Sequence, residues 1–291
     1  MARILLIGKQ GQLGWELNRS LATLCELTSI DYPEIDLGRP ETVRDSIRQA
    51  RPTMIVNAAA YTDVDKAENE QELAWKVNGL APGVIAEEAR KVGAIFIHYS
   101  TDYVFDGKKG HPYVEQDLPN PLNAYGRSKL EGERQVQSVG GISLILRTSW
   151  VYSLRKGGFV NKVLGWARQQ ETLRIVNDQV ANPTWARMLA EITAQVLAHD
   201  DDYIRSRAGL YHLAGSGFTS RFEWARLILE LDPNRNEQVV RELVSACTAD
   251  FSTPATRPLF TALDCNSFLD TFGLELPDWR DAMHLAIDKK F

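Results

Sequence analysis

Short apolar runs alternate with longer amphipathic stretches through the first half of the chain. Ala2–Ile7, Glu26–Ile30, Met54–Ala58, Ala94–Tyr99 and Ser143–Arg147 predict strands. Between them, Thr42–Ala50 and the long stretch Asp63–Lys91 carry helical patterns. Pro82 and Gly83 fall inside the longer stretch and predict a break or kink there. Strands that are apolar on both faces and alternate with helices imply a parallel sheet covered on both sides. Right-handed crossovers then give an α/β, doubly wound (Rossmann) fold.

Past about residue 150 the rhythm loosens. Helices are predicted over Lys156–Gln170, Trp185–Ala198 and Ser220–Leu231, and strands over Thr172–Val176 and Leu210–Ala214. The last predicted helix is Trp279–Lys290. No linker-like stretch parts the halves. The expected organisation is a Rossmann domain over residues 1–150 and a smaller, partly interleaved α/β region over 151–291.

Composition narrows the class of function. A net charge of −5 lacks the basic surplus of a nucleic-acid-binding surface. No run of eighteen apolar residues occurs, so no membrane span is expected. The apolar run after Met1 is too short for a signal-peptide core and leads straight into Gly8. Cys25, Cys247 and Cys265 are scattered, without zinc spacing, which suits a reduced, cytoplasmic protein.

The chemistry begins at Gly8-Lys9-Gln10-Gly11-Gln12-Leu13-Gly14, between a predicted strand and an amphipathic helix. In that setting backbone N–H groups and the helix dipole suit a pyrophosphate, and the first half reads as a nicotinamide-dinucleotide domain. Gly8 permits the turn, Gly11 close backbone approach, and Gly14 the packing of helix on sheet. Asp31 ends the second strand, where an acidic residue accepts ribose hydroxyls and favours NAD. Lys9 and Arg39 offset that charge, so the choice between NAD and NADP stays open. Asp36 and Leu37 fall where a loop would flank the adenine, although Asp36 reads equally well as a turn residue. Asn57-Ala-Ala-Ala-Tyr-Thr62 ends the third strand with three small residues, Ala58, Ala59 and Ala60, which leave room for a cofactor and equally suit core packing.

Tyr125 and Lys129 stand four apart and so share one helix face. An ammonium beside a phenol favours the phenolate, which predicts a lowered Tyr125 pKa and proton exchange near neutral pH. Ser100-Thr101, at the end of the fourth strand, supplies a hydroxyl to hold a carbonyl beside the tyrosine. Trp150 fits core packing and sugar contact equally. His98 reads as a packed core histidine, and Gly215-Ser216-Gly217 as the lead-in to a helix capped by Thr219 or Ser220.

Taken together, G-K-Q-G-Q-L-G, V-N-A-A-A-Y-T (56–62), H-Y-S-T-D-Y-V-F-D-G (98–107) and P-L-N-A-Y-G-R-S-K (121–129) resemble the extended short-chain dehydrogenase/reductases. R-T-S-W-V-Y (147–152), N-D-Q-V-A-N-P-T (177–184) and R-P-L-F-T-A-L-D (257–264) narrow the resemblance to their dTDP-4-dehydrorhamnose reductase branch, over nearly the whole chain. The resemblance implies reduction of dTDP-4-dehydro-L-rhamnose to dTDP-L-rhamnose with NADPH, NADH also being accepted, as the last step in making a rhamnose donor for bacterial surface polysaccharide. It implies that Tyr125 protonates the C4 oxygen, that Lys129 holds the nicotinamide ribose and lowers the Tyr125 pKa, and that Thr101 bonds the carbonyl. Gly11, Gln12 and Leu13 would lie on the pyrophosphate, Asp31 on the ribose, and Asp36 and Leu37 near the adenine. Ala60, Tyr61 and Thr62 would lie on the nicotinamide side, and Asp102 and Trp150 on the sugar nucleotide. Some members of that family form magnesium-linked dimers through carboxylates. Glu16 fits one such position, but Arg187 and Lys289 stand at the others, so no metal is expected, and either a monomer or a homodimer is. Two other readings stay open: a different sugar-nucleotide reductase or epimerase, and a non-catalytic, reductase-like regulatory subunit.

Overall fold

The computed structural model describes residues 2–155 and 157–287. The predicted helix positions Lys156 and Lys290, and Lys289, lie outside the described residues. Five strands come from the first half: β1 (Arg3–Ile7), β2 (Glu26–Ile30), β3 (Met54–Asn57), β4 (Ile95–Thr101) and β5 (Ser143–Thr148). The second half adds β6 (Thr172–Val176), β7 (Gly209–His212) and β8 (Glu242–Ala246), with several two-residue strands. The main sheet runs β7-β5-β4-β3-β1-β2, every neighbouring pair parallel. β6 and β8 pair separately, also in parallel.

Side-chain alternation explains why these strands read as continuous apolar runs. Ile4 and Leu6 of β1 enter one core with Met54, Val56, Ile95 and Ile97. Leu5 and Ile7 enter the other with Ile55, Phe96 and Ile145. Helices α1 (Gln12–Leu21), α2 (Pro40–Ala50), α3 (Ala81–Val92) and α4 (Ala124–Val139) belong to the first half. They are followed by α5 (Gly158–Ala167), α6 (Ala186–Leu197), α7 (Arg221–Glu230) and α8 (Trp279–Ile287). On the first face Leu17 of α1 packs with Leu189 of α6; on the second Ile47 of α2 packs with Ile85 of α3. Each such buried side chain contributes about 1.5–3 kcal/mol. A third core, around Tyr152, Trp224 and Trp279, underlies the second half.

The expected break at Pro82 and Gly83 falls elsewhere. Pro82 lies in the first turn of α3, which continues directly from a π-helical turn. The discontinuity comes earlier, at Glu70 between two short helices and in a π-helical turn over Trp75–Leu80. That wider turn carries Asn78, which is buried. Its carboxamide accepts from Tyr61 N (2.8 Å) and donates to Tyr61 O (3.0 Å) and to Ser128 Oγ on α4 (3.1 Å). A π-turn inside a helix frequently marks a functional region.

Candidate active site

The strand order reverses between β1 and β3, because β2 lies to one side of β1 and β3–β5 to the other. Ligands of open α/β sheets bind in the crevice at such a switch point, outside the carboxyl ends of the strands. Here the loops after β1 and β3 meet. Gly8 has a φ of +95°, and a Cβ there would stand 2.6 Å from Ala59 N. A Cβ on Gly14 would stand 1.8 Å from Gly8 O, so α1 starts hard against the turn. The α1 N-cap, Gly11, has no side-chain capping bond, which leaves the helix N-terminus to other partners. This cradle fits a dinucleotide pyrophosphate.

Asp31 lies beside the turn and accepts from Gln10 N and Tyr32 N, each at 2.8 Å. Gln12 faces the second half, its side-chain oxygen accepting from Ser153 N at 2.8 Å. Asp36 closes its own turn, accepting from Gly38 N at 2.8 Å, and Leu37 is buried in the second core. Leu13 is buried in the first. Ala60 and Thr62 flank Tyr61, whose hydroxyl donates to Glu70 at 2.7 Å; that carboxylate pushes the phenol up to about 12.

The second constellation forms where β4 ends. Thr101 is the last residue of β4, and Tyr125 lies in the first turn of α4. The Asn123 side chain caps α4 by accepting from Gly126 N at 2.8 Å, which fixes where that turn begins. Burial pushes the Tyr125 phenol above its ordinary value, and the Thr101 hydroxyl pulls weakly the other way. The expected lowering by Lys129 is therefore corrected. The Lys129 ammonium instead donates to Tyr99 O at 2.6 Å, and burial pulls Lys129 itself down to about 8. Desolvation outweighs any attraction across one helical turn.

Asp102 is buried, receiving hydrogen bonds from Thr101 (3.1 Å) and Thr261 (2.5 Å). Burial pushes its carboxyl up to about 6, against the opposing pull of those hydroxyls and Arg221. Arg221 lies over the Trp150 ring, 3.6 Å from its centre, and 4.7 Å from that of Phe159. Desolvation pulls its guanidinium down to about 10, and Tyr103 and Asp102 partly restore it. Trp150 stacks on Trp224 with planes 10° apart and has a φ of +41°, a left-handed conformation unfavourable for tryptophan. Trp150 thus both packs and faces open space. It lines a cleft of about 540 Å³ with Thr62, Phe159, Arg174, Arg221 and Arg257, among others. Arg257 is held by a two-point pair with Asp65, at 2.7 and 3.0 Å.

The structure thus gathers Thr101, Asp102, Tyr125 and Trp150 at one end of the sheet, beside the glycine turn and its companions. Arg221, Arg257, Arg174 and Thr261 carry no role in the sequence reading. Arg257 and Thr261 lie within the R-P-L-F-T element, the one signal that could have drawn attention to them. Asn177-Asp178-Gln179 binds a second loop: Asp178 accepts from Thr248 N and Oγ1, and Gln179 donates to Thr248 Oγ1. His98 is packed as expected, burial pulling its pKa well down, and Ser220 caps α7. Among the described residues no group of three or more His, Cys, Asp or Glu is placed to hold a metal. No helix among them is long and apolar enough to cross a membrane. Glu16 lies on α1 and Arg187 on α6, its guanidinium 6.0 Å from the Trp185 ring centre.

Residues 2–291 match the family model described as the RmlD substrate binding domain. The chain belongs to this family. It is 44% identical to the dTDP-4-dehydrorhamnose reductase of Burkholderia thailandensis, with 98% of each chain covered. Among solved structures it resembles the dTDP-4-dehydrorhamnose reductase of Clostridium acetobutylicum, with a TM-score of 0.90, 32% identity and 98% of both chains covered. It also resembles that of Bacillus anthracis, solved in complex with NADP, with a TM-score of 0.89, 30% identity and 98% of both chains covered.

Proposed function

We propose that this protein reduces dTDP-4-dehydro-L-rhamnose to dTDP-L-rhamnose with NADPH, accepting NADH as well. The observation that carries this is the approach of the Thr101 hydroxyl, at the end of β4, to the Tyr125 phenol, with Arg221 of the cation-rich cleft acting on the neighbouring Asp102. Residues 1–150 would hold the cofactor, with Gly11, Gln12 and Leu13 on its pyrophosphate, Asp31 on its adenosine ribose and Lys129 on its nicotinamide ribose. Residues 151–291 supply most of the sugar-nucleotide cleft. Reduced nicotinamide, when bound, supplies the hydride.

The chain's own residues manage the oxygen. A phenol pKa above its ordinary value keeps the Tyr125 proton in place at neutral pH, as a proton donor in the reducing direction requires. The Thr101 hydroxyl holds the carbonyl and stabilises charge as it develops on oxygen. Arg174, Arg221 and Arg257 suit the diphosphate of a sugar nucleotide, and Trp150 and Phe159 offer flat faces to sugar or base. Asp102 orients a sugar hydroxyl. The enzyme acts in the cytoplasm, as a monomer or homodimer.

The test follows nicotinamide absorbance with enzymatically generated dTDP-4-dehydro-L-rhamnose, using NADPH and then NADH. Oxidation with dTDP-L-rhamnose as product is expected. Tyr125→Phe should lower turnover by about 10²–10⁴-fold while leaving NADPH binding nearly unchanged. Loss of turnover and binding together would remove Tyr125 from the proton-donor role. No oxidation by wild-type protein that binds NADPH would overturn the reaction assigned.

A further inference from the structure

The carboxyl end of β2 carries more charge than a ribose site needs, and its wiring is specific. Both Asp31 carboxylate oxygens are already fixed by backbone N–H groups, from Gln10 and Tyr32. A carboxylate has about four lone-pair sites, so Asp31 can still accept ribose hydroxyls. The Lys9 ammonium donates to Glu34 Oε2 at 2.7 Å and to Ser29 O at 3.1 Å, leaving one of its three donors uncommitted. The same Glu34 oxygen accepts from Asp31 N at 3.0 Å. Asp31, Lys9 and Glu34 therefore form one connected group with two negative charges and one positive. In this state the group repels the 2′-phosphate of NADPH and accepts the free hydroxyls of NADH.

We propose that Glu34 sets the preference between the two dinucleotides by holding Lys9 as a detachable cation for the 2′-phosphate. The inference rests on the reading that the glycine turn holds a nicotinamide dinucleotide. The Glu34 side chain is 52% exposed and that of Lys9 31%, so their ion pair is a surface pair of small worth. A phosphate dianion attracts an ammonium more strongly than a single carboxylate does, so arrival of NADPH draws Lys9 off Glu34. With NADH, Lys9 stays on Glu34 and cancels its charge. Two stable positions for one lysine let the same site serve both cofactors, and Glu34 is the counterweight between them.

The test measures dissociation constants of NADPH and NADH by calorimetric titration of the full-length protein, without sugar substrate. Glu34→Gln should raise affinity for NADPH relative to NADH by about tenfold, the effect of one charge on a dianion across roughly 7 Å of water. Lys9→Met should lower NADPH affinity by a similar factor and leave NADH binding within about twofold. NADH binding also reports that each variant is folded. A wild-type NADPH:NADH affinity ratio retained in Glu34→Gln overturns the proposal, as does unchanged NADPH binding in Lys9→Met. Wild-type protein that binds neither nucleotide overturns the cofactor reading and this inference together.

Discussion

Replacing Asp102 by asparagine is expected to stabilise the protein in a pH-dependent way. The carboxyl is buried among Thr101, Thr261 and Arg221, and its pKa rises from an ordinary 3.8 to about 6, chiefly through burial. Between those two values the folded chain holds a proton that the unfolded chain has released. Stability therefore falls as pH rises through that window and stays lower above it. The rise corresponds to about 3 kcal/mol by neutral pH. Asparagine cannot ionise, yet its amide oxygen can still accept from Thr261. The stability difference between Asp102→Asn and wild type should thus grow by about 3 kcal/mol from about pH 4 to about pH 8. Urea unfolding followed by tryptophan fluorescence reads it directly, because Trp150 and Trp224 lie beside the site. A difference that stays flat with pH would refute the reasoning. The same variant should lose about ten- to a hundredfold in kcat/KM, since a hydrogen bond to a charged acceptor is lost.

Two further substitutions test the framework around the site. Gly14→Ala places a methyl 1.8 Å from Gly8 O, a backbone atom with little freedom to move. It should abolish NADPH binding in titration and cost about 1–3 kcal/mol of stability. Asn78→Ala removes three hydrogen bonds that join Tyr61 to Ser128. It should cost about 2–4 kcal/mol in thermal unfolding, because the Tyr61 amide and carbonyl lose a buried partner.

The sheet was legible in the sequence because β1, β3, β4 and β5 are short apolar runs whose alternate residues enter two different cores, while β2, at the sheet edge, offers only Leu27 and Ile30. β8 was not, because Glu242 and Ser245 are exposed and Leu243 and Val244 only half-buried, so no apolar run announces it. The break in the Asp63–Lys91 stretch was placed at Pro82 from a local rule, whereas the π-turn around Asn78 depends on bonds to Tyr61 and Ser128 far along the chain. Thr101 and Tyr125 stand in local motifs, so their adjacency could be read. What Lys129 does to Tyr125 could not, because burial decides it and spacing does not report burial. The arginine side of the cleft was hidden for a related reason. Arg174, Arg221 and Arg257 come from three separate segments that meet only in the folded chain.

The place of β7 bears on how the protein is made. β5 ends at Thr148, but the strand that pairs with its open edge begins only at Gly209, and α6, which covers one sheet face, spans Ala186–Leu197. During synthesis at about 5–20 residues per second, that edge waits roughly 3–12 s for its partner, and the face roughly 2–8 s for the start of α6. For that interval the nascent chain displays an unpaired parallel strand and apolar residues such as Leu17 and Leu146. A gene cut after the fifth strand would yield a product held permanently at that stage.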